Sequence, residues 1–125
     1  MQLTNKLIRI IVAVSSMPKA KEFYADKLGL KVAKDNRRDD QHWWVSLSTS
    51  DGGTSIVLST HHEHMKPGTM TLYFGTPDIT ATREELIGKK LEPSEVKDDL
   101  LGPGSGVKWF KMKDPDGSTV FLVQA

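Results

Sequence analysis

The feature that most constrains this chain is an order of elements that occurs twice. Leu7 to Val14 is rich in β-branched residues and ends at Ser15-Ser16, which predicts a mostly buried strand. Ser16 can cap the free amides of a following helix whose first turn tolerates Pro18. Ala20, Phe23, Tyr24 and Leu28 then recur on one helical face, and Gly29 supplies a left-handed stop. Leu30 to Lys34 resumes an alternating pattern, and the charged run Asp35 to Asp40 predicts a loop. His42 to Thr49 is strand-like again, and Asp51-Gly52-Gly53 turns the chain into a strand over Thr54 to Thr60. The second half restates this order. Thr69 to Gly75 predicts a strand, and Asp78 caps a helix carrying Ile79, Leu86 and Ile87, with Lys89-Lys90 at its negative end. Glu95 to Leu100 predicts a weaker strand, Gly102 to Gly106 a flexible loop and Val107 to Lys113 a strand. Asp114-Pro115-Asp116-Gly117 is a tight turn into a last strand over Thr119 to Gln124. Two tandem βαβββ units of about 60 residues each follow, near 1–60 and 69–125, visible as a repeated pattern of elements rather than of residues. The expected class is α+β, one domain over 1–125, with a half-closed mixed sheet around a cleft and the helices outside.

Bulk properties narrow the partners. With 17 basic against 16 acidic side chains, no global field draws in nucleic acid or an anionic membrane. The absence of cysteine excludes disulfides, thiolate metal sites and a cysteine nucleophile, and fits a cytoplasmic location. The amino end, Met1 to Val14, carries an uninterrupted apolar run of only about five residues, too short for a signal sequence or a span. A soluble protein with no membrane partner is expected.

Two local signatures join the repeated order: Val14 to Leu30, with Lys19-Ala20, Phe23-Tyr24 and Leu28-Gly29-Leu30, and the closing Lys113-Asp114-Pro115-Asp116-Gly117 before Val120-Phe121-Leu122. Together they resemble the vicinal oxygen chelate superfamily, which includes glyoxalase I, the extradiol dioxygenases, the fosfomycin-resistance enzymes and the bleomycin-resistance proteins. In metal-dependent members, four His, Gln or Glu side chains reach into the cleft from the first and last strand of each half. Counting from the shared motifs, the resemblance places those stations here at Arg9, Val57, Thr69 and Phe121. Arginine, valine and phenylalanine offer a divalent ion no lone pair and a lone threonine hydroxyl is a poor ligand, so no metal residues and no cofactor are expected.

Alternation outward from these stations predicts a cleft face of Arg9, Ile11, Ser55, Val57, Ser59, Thr69, Thr71, Tyr73, Thr119 and Phe121, joined by Trp44, Ser46, Trp109 and Lys111. Adjacent Trp43 and Trp44 must face opposite sides of a strand, as must Trp109 and Phe110. Such a wall suits an organic ligand that stacks on Trp44, Tyr73, Trp109 or Phe121 and offers negative charge to Arg9 and Lys111. A cationic wall is unsuited to bleomycin itself. The expected function is that of a metal-independent binding protein resembling the bleomycin-resistance branch. It would sequester a small aromatic or anionic compound as a homodimer, with no catalytic residues. The alternative is a divalent-metal lyase, isomerase or dioxygenase of the glyoxalase type with displaced ligands. A third reading is an accessory module whose cleft packs against a partner. His61, His62 and His64 with Glu63 could gather a metal on the linker 61–68, although a solvated loop accounts for them better, since a flexible linker does not pre-orient ligands. That linker can extend about 25 Å, enough to exchange halves between subunits.

Overall fold

A computed structural model describes residues 2–61 and 63–125. The chain separates into two compact units at Pro67/Gly68. The first comprises β1 (Arg9–Ala13), α1 (Met17–Lys21), β2 (Lys31–Asp39), β3 (His42–Ser48) and β4 (Ser55–Ser59). The second comprises β5 (Thr71–Thr76), α2 (Ile79–Gly88), β6 (Trp109–Lys113) and β7 (Thr119–Gln124).

In the first unit the strand order is β1-β4-β3-β2, with β1 parallel to β4 and the other pairs antiparallel. Ser16 caps α1 by accepting the Lys19 N–H at 3.5 Å, with Pro18 in the opening turn where no backbone donor is required. The helix then widens into a π-helical stretch at Glu22–Lys27, marked by the Leu28 N–H bonding to Phe23 O at 2.9 Å, and stops at Gly29 with φ +83°. Met17, Ala20, Phe23 and Tyr24 are buried, as are Val12, Val45, Leu47 and Leu58 on the sheet. Each fully buried aliphatic side chain contributes about 1.5–3 kcal/mol relative to exposure.

The second unit repeats the arrangement as β5-β7-β6, with β5 parallel to β7. Asp78 caps α2 through the Ala81 N–H at 3.1 Å, and the helix lays Ile79 and Leu86 into the core with Leu72, Phe110, Met112, Val120 and Leu122. The closing turn forms as expected. Asp114 Oδ1 accepts the Asp116 and Ser118 N–H groups, the Gly117 N–H reaches Asp114 O at 3.0 Å, and Gly117 takes φ +97°.

Four local expectations are corrected. Asp35 to Asp39 is strand rather than loop, because β2 is an edge strand exposed along its whole length and so carries charge on both faces without desolvating it. Glu95 to Leu100 forms no ladder of its own and contributes only isolated bridges, Lys97 to Trp109 and Asp99 to Val107. Near its start the Lys111 N–H bonds to Ser94 Oγ in place of a backbone carbonyl, so the regular pairing does not extend there. Both first strands begin two residues late: β1 starts at Arg9 and β5 at Thr71. Before β5, the Met70 N–H is taken by Ser118 Oγ at 3.1 Å, which leaves Thr69 outside the ladder. Ile87, placed on the apolar face of α2, is 46% exposed.

One ionic contact ties α1 to the sheet. Asp35 accepts from Lys21 Nζ and from Trp43 Nε1, each at 2.6 Å, and these hydrogen bonds, the lysine's first, hold its carboxyl below the ordinary value of 3.8. A depressed folded-state pKa contributes stability above the unfolded value and loses it as pH falls through the folded one. Asp35→Asn should therefore destabilise the protein modestly at neutral pH, and the gap from wild type should close as pH falls below the ordinary carboxylate value and the native carboxyl protonates. Urea midpoints across pH check this. A gap independent of pH would mean that the carboxylate's charge is irrelevant to the contact.

Candidate functional site

Pleating in the first unit places one set of residues on the face away from α1. Register aligns Ile11, Val57, Ser46 and Lys34 in one row across all four strands. The next row holds Ala13, Ser59, Trp44 and Asn36, and Arg9 opposite Ser55 begins the row on the other side. The intervening rows carry the larger buried side chains Val12, Val45, Leu47, Ile56 and Leu58, whereas on this face only Ala13, Val57 and Ser59 are buried, so the two faces of this sheet differ chemically.

On the open face lies a pocket of about 390 Å³ lined by Arg9, Ile11, Lys34, Asn36, Trp44, Ser46 and Val57. That volume suits a small organic molecule. The structure thus brings Arg9, Trp44 and Val57, singled out from the sequence, around one space, with Ile11 and Ser46 from the same alternation. Asn36 was missed because Asp35 to Asp40 read as loop, and Lys34, at the end of the alternating run from Leu30, because that run was not carried onto the cleft face. Their two-residue spacing on β2 is the signal that could have found them.

Among the described residues the lining contains two cations and no acid. Among the described residues neither Arg9 nor Lys34 has a carboxylate within ion-pairing distance, whereas Lys21 pairs with Asp35 and Arg37 with Asp40. Trp43 and Trp44 point to opposite sides, as strand geometry requires. Trp43 lies beneath Arg37, whose guanidinium carbon is 4.4 Å from the ring centroid, and donates its N–H to Asp35. Trp44 faces the pocket, and its N–H has no acceptor among the described residues.

In the second unit an aromatic row forms on the face opposite α2. Tyr73 and Phe121 stack at 4.4 Å with rings 10° from parallel, and Trp109 lies 5.4 Å from Phe121. Lys111 pairs in register with Phe121 and is exposed beside it. Tyr73 is 59% exposed, an unusual amount of apolar surface for a ring already stacked on one side. Trp109 donates its N–H to Asp99 at 3.0 Å, which fixes the indole's tilt. Its neighbour Phe110 is fully buried on the other face.

The metal that the resemblance brings to mind does not fit these residues. Arg9 and Val57 line the pocket of the first unit, Phe121 is engaged in the aromatic stack, and Thr69 lies exposed ahead of β5. A guanidinium, an isopropyl group, a phenyl ring and one hydroxyl are not a ligand set for a divalent ion. Among the described residues no group of three or more His, Asp or Glu side chains gathers to hold one elsewhere. On the linker, His61 and His64 each face Glu63 at 3.8 and 3.9 Å, and the His61 ring stacks on His42 at 4.9 Å; His62 lies outside the described residues. Asp39 pairs with the other side of His42 at 3.0 Å, and that hydrogen bond lowers the carboxyl's pKa. Among the described residues no helix is long and apolar enough to cross a membrane.

Comparison with known proteins agrees with this architecture. TnmS3, an antibiotic binding protein from Streptomyces sp. CB03234, superposes with a TM-score of 0.86 at 25% identity, over 99% of this chain and 98% of that one. A glyoxalase/bleomycin resistance protein from the same strain superposes with a TM-score of 0.78 at 26% identity, over 95% of this chain and all of its own. YetH of Bacillus subtilis (strain 168), an uncharacterized protein, is 26% identical over 123 residues, 92% of this chain and 93% of its own. The family model of the Glyoxalase/Bleomycin resistance protein/Dioxygenase superfamily matches residues 6–122. Since that match takes in both units from before β1 to within β7, the chain belongs to this superfamily.

Proposed function

We propose that this protein binds a small aromatic or anionic molecule in the pocket of its first unit, without a metal ion, and sequesters rather than transforms it. The observation that carries this reading is the lining itself. Indole and aliphatic surface from Trp44, Ile11 and Val57 sits beside two cations, and among the described residues no imidazole or carboxylate lines the space to act as metal ligand or general base. Apolar walls supply desolvation, and a few polar anchors fix orientation; binding asks for no more. The antibiotic-binding activity named for TnmS3, at 25% identity over nearly the whole chain, supports a sequestering role. The aromatic row of Tyr73, Phe121 and Trp109, with Lys111, is a second surface on which a planar group could stack. Thr69, exposed before β5, is the weakest of the proposed contacts.

A thermal-shift screen of aromatic and anionic compounds in EDTA tests the reading. A ligand present at about 100 times its dissociation constant stabilises the fold by about 2.7 kcal/mol. Stabilisers should appear in EDTA, and Trp44→Ala should lose more than half of each shift measured from its own unliganded midpoint. If stabilisers appear only once Mn²⁺, Ni²⁺ or Zn²⁺ is supplied, metal-dependent chemistry takes the place of this proposal.

A further inference from the structure

The charges of the pocket are arranged more specifically than a general affinity for anions requires. Arg9 comes from β1 and Lys34 from β2, the two opposite edges of the sheet, with β4 and β3 between them. Three strand spacings put the two backbones roughly 14 Å apart, more than a Debye length at physiological salt, so each cation occupies its end at little mutual cost. Between them run Val57 and Ser46 on the floor, with Trp44 alongside.

The sequence of β2 keeps these cations without partners on their own face. Lys34 and Asn36 face the pocket, while Asp35 and Arg37 turn to the side of Trp43, where the acid is consumed by Lys21 and the indole. No acid lines the pocket, and among the described residues none reaches either cation. Asn36 adds an amide donor at the Lys34 end, and Ser46 a hydroxyl on the floor.

We propose that the pocket takes an aromatic molecule carrying two negative charges at its opposite ends, one met by Arg9 and the other by Lys34, with the ring lying over Val57 beside Trp44. This rests on the small-molecule reading above and specifies its ligand class. A single anion could satisfy only one end and would leave the other cation facing a partly desolvated space. A ligand charged at both ends closes both, and the planar arginine fork suits a carboxylate or sulfonate at its end.

Three probes of one ring system separate the possibilities: naphthalene-2,6-dicarboxylate, naphthalene-2-carboxylate and the dimethyl ester of the diacid, titrated calorimetrically into the full chain. The dicarboxylate should bind at least tenfold more tightly than the monocarboxylate, and the ester most weakly. Arg9→Ala and Lys34→Ala should each bring the dicarboxylate down to the affinity of the monocarboxylate, while Lys34→Arg retains most of it. Both side chains are exposed, and unchanged unfolding midpoints would show that the variants keep the fold. Equal affinity for mono- and dicarboxylate, or indifference of the dicarboxylate to both alanine variants, overturns the two-charge proposal. Failure of all three probes while the thermal-shift screen finds other stabilisers also overturns it, and leaves the small-molecule reading standing. Silence of both experiments removes both.

Discussion

Replacing Phe110 with alanine should cost about 3–5 kcal/mol of folding free energy, whereas the same change at Phe121 should cost about 1–2 kcal/mol. The two rings stand on paired strands, β6 and β7, yet on opposite faces of one sheet. Phe110 is fully buried beside Leu122, its partner in register, and truncation there leaves a cavity that close-packed neighbours fill poorly. Phe121 is half-buried and loses mainly its stack on Tyr73, with some apolar contact to Trp109. For a chain of this length each kcal/mol lowers the melting temperature by about 3–5 °C, so the Phe110→Ala midpoint should fall by about 10–25 °C. Urea unfolding of both variants gives the comparison directly. Similar losses at the two positions would show that the face of Tyr73 and Phe121 is as much a core as the face of Phe110, and the second unit would then offer no aromatic surface to a ligand.

This division between a structural and an exposed face was legible in the sequence wherever alternation was clean. Trp109-Phe110 and Trp43-Trp44 had to split across their strands, and they do. Counting in twos from the stations that the family resemblance supplies put Arg9, Ile11 and Val57 on one face, with Ser46 and Trp44 joined by extension, and the pocket of the first unit gathers all five. What could not be read was β2. Its residues from Asp35 onward are charged or polar because an edge strand exposed on both faces has no apolar period to display, so the pattern that announces a strand was missing from a real one. Asn36 was lost with it, and Lys34, the last residue of the alternating run from Leu30, was not carried onto the pocket face, so half of the pocket's charge went unread. The opposite error occurred at Glu95 to Leu100, where the residues have some strand character but the backbone finds only scattered partners, one of them the Ser105 hydroxyl, which donates to Asp98 O. The π-helical widening of Glu22–Lys27 leaves no mark in a 3.6-residue period, because Phe23 and Tyr24 are adjacent and both remain buried on either register.

Gly68→Ala should be the most damaging single methyl addition among the glycines, at about 3–4 kcal/mol. Gly68 opens the second unit with φ +84°, a left-handed conformation that costs an alanine about 1–2 kcal/mol on its own. The methyl would also sit 2.2 Å from the carbonyl oxygen of Asp116, a contact that requires backbone movement. Neither side can yield cheaply. Asp116 belongs to the turn that Asp114 Oδ1 pins through the Asp116 and Ser118 N–H groups, and Ser118 Oγ in turn holds the Met70 N–H two residues beyond Gly68. Displacing the carbonyl would therefore loosen the turn and the entry to β5 together. Gly117→Ala is the matched control: it takes φ +97° within that same turn, but an added methyl there meets nothing within 4 Å. It should cost the backbone term alone, about 1–2 kcal/mol. Chemical denaturation of the pair isolates the steric part as the difference between them. If Gly68→Ala proves no worse than Gly117→Ala, the close approach of the linker's end to the Asp114–Gly117 turn is not present in solution, and the start of β5 is held by its hydrogen bonds to Ser118 and Thr119 without it.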